Sequence, residues 1–199
     1  MPRGTQAKRF KGGQRMHIAV PLSKNDIGRL FAGMSITLSG TVYTARDAAH
    51  ARLTAMIDRG EALPFPVKDS GIYYAGPCPA QPGHIIGSCG PTTSSRMDAF
   101  APSLYDLGLS FVIGKGPVSF EVRSAIVRNR SVYFAAVGGA GALIASHITD
   151  ARVIAFDDLG TEAIRLITFD RVPLIVAIDS RGECVYDRRA NQTKPRLNT

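Results

Sequence analysis

Residues 87–98 read G-S-C-G-P-T-T-S-S-R-M-D. Ile85 and Ile86 lead into this stretch, and a glycine–proline pair breaks it at Gly90 and Pro91. Four hydroxyl residues follow, Thr92, Thr93, Ser94 and Ser95, and then Arg96 and Asp98. The order predicts a strand over 84–86, a tight turn, and a helix over 94–99. Such a turn exposes backbone N–H groups, and the first turn of a helix exposes more. With two threonines and an arginine beside those donors, the stretch reads as an anion pocket. The same residues also suit a plain helix cap, because hydroxyls are favoured there.

Working outward, two further cations stand in similar places. Residues 34–42 alternate apolar and polar side chains, the pattern of a half-buried strand. They run into T-A-R-D, where a helix face begins at Asp47 and stops near Gly60, so Arg46 sits at a strand-to-helix junction. Open α/β sheets place ligand-binding residues at such junctions. Residues 109–113 predict a short buried strand that ends in Gly114-Lys115-Gly116. Glycines on both sides of Lys115 allow a tight turn there. This is not a Walker A loop, because Gly108 has the wrong spacing and a glycine, not Ser or Thr, follows the lysine.

The remaining elements alternate in the same way. Ser23 and Asp26 have capping-box spacing, which starts a short helix over 23–30. A short strand is expected over 71–76, helices over 102–107 and 119–129, and a strand over 132–137. Gly138, Gly139 and Gly141 follow, ahead of an apolar helix that reaches His147. The G-x-G-x-x-G spacing of a dinucleotide site is absent, and close packing explains these glycines better. Strands are expected over 153–156, 167–170 and 174–179, with loop and helix over 157–166 and a turn at 180–183. The fold class is therefore α/β, organised as one domain over 17–187 with basic arms at 1–16 and 188–199.

Charge and cysteine usage narrow the function. Of the net charge of +8 over 199 residues, the two tails carry nine basic residues and no acid. The central part is left nearly neutral. Basic tails of this kind are solvated segments, and a nucleic-acid role would need a basic face on the fold itself. Cys78, Cys89 and Cys184 lie far apart with no C-x-x-C, so this chain furnishes no four-cysteine metal or cluster site. Cys89 is a nucleophile candidate by position, but a small buried hydrophobe by type. No apolar run is long enough to span a bilayer, and no apolar stretch with a cleavage site follows the basic N-terminus. A cytoplasmic location, with no membrane and no nucleic-acid partner, is expected.

Arg46, Arg96 and Lys115 each follow a strand end, with Thr92 and Thr93 in the same class of place. If those ends converge, they suit a small dicarboxylate: arginine grips a carboxylate with two parallel bonds, and lysine acts as a point charge. No paired carboxylates, Ser–His–Asp order or metal-ligand cluster accompanies them. This is the part of an active site that holds substrate, without the electrophile.

Seven motifs carry a resemblance. They are T-A-R-D-A-A-H (44–50), Y-A-G-P (74–77), G-P-T-T-S-S-R-M-D (90–98), I-G-K-G (113–116), V-G-G-A-G-A-L (137–143), D-L-G-T-E-A (158–163) and A-I-D-S-R-G (177–182). In this order they resemble the class I, iron–sulfur fumarate hydratases. More narrowly, they resemble the separate beta subunit of two-subunit fumarases and L(+)-tartrate dehydratases. The resemblance implies a swivelling β/β/α three-layer domain. It implies an alpha subunit carrying a [4Fe–4S] cluster with one open iron, in an α2β2 heterotetramer. The implied reaction is reversible hydration of fumarate to (S)-malate, or dehydration of tartrate to oxaloacetate. Arg46, Arg96 and Lys115 correspond to the family's binders of substrate carboxylates, with Thr93 beside them. Thr92 corresponds to the threonine placed for proton transfer at carbon, a role that an acid of the alpha subunit can share. Cys78 and Cys89 depart from the small or apolar residues usual at their positions. Ser94 and Ser95 are left with capping roles. A stand-alone anion-binding module is the alternative of another class.

Overall fold

The computed structural model describes residues 15–136, 139 and 141–187. The expectations for the two arms lie, but for residues 15 and 16, outside the described residues, as do Val137, Gly138 and Ala140 of the glycine-rich motif.

The elements named among the described residues are, in chain order, β1 (Met16–Ala19), α1 (Lys24–Arg29), β2 (Ser35–Thr44), α2 (Asp47–Asp58), β3 (Gly71–Tyr73), α3 (Ala101–Asp106), β4 (Phe111–Gly114), α4 (Phe120–Arg128), β5 (Val132–Ala135), α5 (Gly141–Ala145), β6 (Ile148–Ala155) and β7 (Ile164–Ile178). Short 3-10 segments cover Ser94–Met97 and Asp157–Glu162. The α1 start is local chemistry. Ser23 Oγ accepts the Asp26 N–H at 3.1 Å, and Asp26 Oδ2 accepts the Ser23 N–H at 3.2 Å, which completes the expected capping box.

The sheet order is β1-β2-β3-β4-β5-β7-β6, with β2 also paired to β7. The ladder therefore closes on itself, from β2 through β3, β4, β5 and β7 back to β2. Strands β2 to β5 are parallel neighbours, and β7 runs antiparallel to both β2 and β5. Parallel strands put their C-terminal ends at one edge, and that edge carries the candidate site.

Alternation along the parallel strands feeds two cores. Tyr73, Phe111, Ile113, Val132 and Phe134 face inward with Ile36, Leu38, Phe169, Leu174 and Val176. Ile72, Val112 and Tyr133 face the other way, with Leu53 of α2, Leu104 of α3 and Ile126 of α4. A sheet buried on both faces needs apolar residues at nearly every position, as these short strands have.

Three expectations are corrected. Residues 84–86 form no strand. They lie in a loop closed by a Cys78 N–H to Ser88 carbonyl bond of 2.9 Å, and Ile85 is 54% exposed. Residues 94–99 give a 3-10 turn instead of a helix. The two strands expected over 167–179 are one, β7. Arg171 at φ 49° kinks it, but β2 runs beside it from Arg165 to Ile175 and keeps it continuous. Pro173 is tolerated because β6 pairs β7 only as far as Phe169 and β5 begins at Ile175, which leaves one edge without a ladder partner between them. Elsewhere the expected segments hold with shifted ends, and β6 begins five residues earlier than expected, at Ile148.

Candidate functional site

Arg46 follows β2 as the N-cap residue of α2, with no side-chain cap bond of its own. The cap comes from Glu162, whose Oε2 accepts the Ala48 N–H at 3.0 Å. The other oxygen, Oε1, stands 3.2 Å from Arg46 Nη2. One carboxylate thus caps the helix and orients the guanidinium. Arg46 Nε is buried without a partner among the described residues. A Cβ on Gly76 would meet Arg46 Cδ at 2.9 Å and the Thr161 carbonyl at 3.0 Å, so Y-A-G-P needs glycine where this arginine lies.

The 91–96 segment is laid across the ends of the next two strands. Thr92 N–H donates to the Tyr74 carbonyl at 2.8 Å, just past β3. Thr93 bridges Lys115 in parallel, just past β4, and Ser94 N–H donates to the Lys115 carbonyl at 2.9 Å. Arg46, the 92–96 segment and Lys115 therefore stand at the C-terminal ends of three adjacent parallel strands. Among the described residues no hydrogen bond engages the hydroxyls of Thr92 or Thr93, and no acidic side chain pairs with Arg96 or Lys115. Arg96 and Thr93 are exposed, and Thr92 and Lys115 half-buried. The fold leaves these polar groups facing outward and unspent.

Ser94 is not a cap. It is fully buried, and its Oγ accepts the Lys115 N–H at 2.9 Å. This explains the first glycine of I-G-K-G, because a Cβ on Gly114 would overlap Ser94 Oγ. Only Gly116, at φ 84°, is glycine for the turn itself. Asp98 accepts the Ser119 N–H at 2.9 Å and so ties the R-M-D turn to the start of α4. Burial raises its carboxyl above the ordinary value.

Other motif residues are structural. Gly141 packs on Gly90, and a Cβ there would overlap Ser88 Oγ, so close packing accounts for it. Asp179 is buried and accepts the N–H groups of Ala32 and Arg181 at 3.0 and 2.9 Å, which holds the D-S-R-G turn. Cys89 is fully buried, and burial pushes its thiol up to about 12, so it is no nucleophile at neutral pH. Two cavities, of about 420 and 670 Å³, flank the 77–88 loop and are lined by Cys78, Ile85 and Ile86 among others, not by the cations.

Among the described residues no three His, Cys, Asp or Glu side chains gather as metal ligands, and no helix is long and apolar enough to cross a membrane. Cys89 and Cys184 lie in different cores and Cys78 is exposed, so these thiols do not fit an iron–sulfur cluster.

Sequence reading proposed Arg46, Thr92, Thr93, Arg96 and Lys115, and the structure places Arg46, the 92–96 segment and Lys115 along one sheet edge. It missed the parts played by Glu162, Ser94 and Tyr133. Glu162 and Ser94 lie inside quoted motifs, and those motifs were the available signal. Tyr133 gave none beyond an aromatic residue in a strand.

A mixed α/β chain with cations gathered at one sheet edge fits a known class. The model of the family described as Fumarase C-terminus matches residues 1–189, and the chain belongs to that family. It is 36% identical to the putative L(+)-tartrate dehydratase subunit beta of Methanocaldococcus jannaschii, over 89% of this chain and 94% of that one. It is 37% identical to fumarate hydratase 2 of Leishmania major, over 78% of this chain but only 28% of the relative. The anaerobic class I fumarate hydratase of Escherichia coli is 36% identical, again over 29% of its own length. The chain thus spans under a third of the fumarate hydratases it matches.

Proposed function

We propose that this chain is the substrate-binding beta subunit of a hydro-lyase that interconverts fumarate and (S)-malate. Arg46, Arg96 and Lys115 bind the two carboxylates, and the hydroxyl and backbone groups around Thr93 complete the cage. Thr92 stands at the carbon that gains or loses a proton. A threonine hydroxyl is a weak base unless activated, so an acidic group of the partner shares that transfer. The single observation that carries this reading is the gathering of Arg46, Lys115 and the 92–96 segment at the ends of three adjacent parallel strands. Two strand spacings, about 10 Å, separate β2 from β4. Long cationic side chains can close such a gap onto a small di-anion.

The partner in this reading is a larger alpha subunit that carries the [4Fe–4S] cluster, assembled as α2β2. The exposure of Thr93 and Arg96 and the short span relative to the fumarate hydratases this chain matches support it. The swivelling three-layer arrangement belongs to the same reading, supported by the two cores on either side of the parallel strands. A second reading, tartrate as substrate, is favoured by the match along nearly the whole of a relative named as a tartrate dehydratase beta subunit.

The test is anaerobic co-purification with the alpha subunit, followed by assay against fumarate, (S)-malate and both tartrate enantiomers. Turnover of malate supports the fumarase reading, and turnover of L(+)-tartrate alone transfers it to the second. Recovery of an iron-free homo-oligomer, inactive on all four, overturns both in favour of a non-catalytic anion-binding module.

A further inference from the structure

The cations come from separate segments, and something must hold them in register. Ser94 meets both halves of the Lys115 peptide. Its N–H donates to the Lys115 carbonyl at 2.9 Å, and its Oγ accepts the Lys115 N–H at 2.9 Å. The same Oγ lies 2.8 Å from the Tyr133 hydroxyl. Tyr133 in turn donates to the Gly116 carbonyl at 2.8 Å. A phenol has one proton, so Ser94 must be the donor to Tyr133. Tyr186 also bonds that phenol. The protons then run one way: from Lys115 N–H to Ser94, from Ser94 to Tyr133, and from Tyr133 to Gly116. The circuit begins on one side of the lysine and ends on the other.

From this we infer that Ser94 and Tyr133 are positioning residues, which clasp the Gly114-Lys115-Gly116 turn and fix Lys115 beside Thr92 and Thr93. The inference rests on the substrate-clamp reading above. Both side chains are essentially fully buried, where a completely satisfied polar network rigidifies what it holds. Burial also raises the Tyr133 phenol, so it keeps the proton it donates. The backbone makes room for the clasp, because Gly114 lacks the Cβ that would displace Ser94 Oγ. Among the described residues no side chain holds the Lys115 ammonium, so its peptide is where its placement is set.

The test uses Ser94→Ala, Tyr133→Phe, Lys115→Ala and the Ser94→Ala/Lys115→Ala double variant, each in the full chain assembled with its alpha subunit. KM and kcat for (S)-malate and L(+)-tartrate are measured, with amide hydrogen exchange at Lys115. For the substrate that is turned over, Ser94→Ala is expected to raise KM about tenfold while kcat changes by less than about threefold. Tyr133→Phe moves KM in the same direction, and keeps the test alive if the serine variant fails to fold. In the Lys115→Ala background, Ser94→Ala adds no further loss. A merely structural serine would lower stability without that non-additivity. Unchanged KM in both single variants of an active complex overturns the proposal, as do Ser94 and Lys115 effects that multiply. If the wild-type complex turns over neither compound, the hydro-lyase reading falls on its own. Exchange then decides the clasp: faster exchange at Lys115 in the variants upholds it, and unchanged exchange overturns it.

Discussion

Glu162 holds Arg46. Its Oε1 is 3.2 Å from the guanidinium, while Oε2 accepts the N–H of Ala48 in the first turn of the helix that Arg46 begins. Arginine cannot cap a helix, having no acceptor. A carboxylate from the far side of the chain supplies the acceptor and aims the arginine. Replacing Glu162 by alanine removes the cap and is expected to lower stability by about 1 kcal/mol. Glu162→Gln keeps an acceptor for Ala48 and should lose less than half of that. Urea unfolding of the two variants checks the order, and equal losses would count against the capping role.

Arg96 is exposed and its side chain has no acidic partner among the described residues, so removing it should not disturb folding. If it grips a substrate carboxylate, Arg96→Ala lowers kcat/KM of the assembled enzyme by about 10²-fold or more. Assembly, read by gel filtration, stays normal. Near-normal turnover would remove Arg96 from the clamp.

His50 is fully buried one turn after Arg46, and its Nδ1 lies 2.9 Å from the Arg46 carbonyl. A carbonyl only accepts, so Nδ1 carries the proton. Nε2 has no partner among the described residues, and burial lowers the imidazole pKa to about 4. The unfolded chain therefore takes up a proton near pH 6.5, and the folded one not until about 4. Stability is retained above pH 6.5 and lost as pH falls towards 4, by about 1.4 kcal/mol per pH unit in the middle of that window. His50→Asn keeps a donor near Nδ1 and does not titrate. Its stability should fall less steeply than the wild type between pH 6.5 and 4.5. Parallel curves would show that His50 is not the group responsible.

Cys89 is sealed in the core, with its thiol pushed up to about 12, whereas Cys78 is exposed. Brief alkylation of the native protein at pH 8 should label Cys78 and spare Cys89, as read by peptide mass spectrometry. Cys89→Ala should leave kcat unchanged, since only the Cys89 carbonyl, not the thiol, accepts the Tyr73 hydroxyl bond. Loss of turnover in that variant would reopen the case for a nucleophile.

Legibility in the sequence followed the range of the interactions. The Ser23 and Asp26 box is three residues long and could be read off directly. The alternation over 34–42 and the buried run over 109–113 marked β2 and β4, because side-chain period reports which faces are covered. Strand 84–86 misled for the same reason in reverse. Two isoleucines in a row mimic a buried strand, yet the loop that carries them has Ile85 largely in solvent. The break expected at residues 171–173 was a kink, since the pairing that keeps β7 whole comes from β2.

For this protein the sequence by itself determined the α/β class, Arg46 and Lys115 at strand ends and, through seven ordered motifs, the family. Each of these is written in local pattern or in residue order. Tertiary structure alone decided that Arg46, Thr92 and Lys115 share one edge, because only parallel pairing of β2, β3 and β4 aligns their C-terminal ends. It also decided that Glu162 orients Arg46 and that Ser94 closes on Lys115. Those partners lie 116 and 21 residues apart in the chain, and no local periodicity relates them. They meet because the closed ladder of strands brings the Ala48 N–H to the Glu162 carboxylate and the Lys115 N–H to the buried Ser94 hydroxyl, where each backbone donor is satisfied.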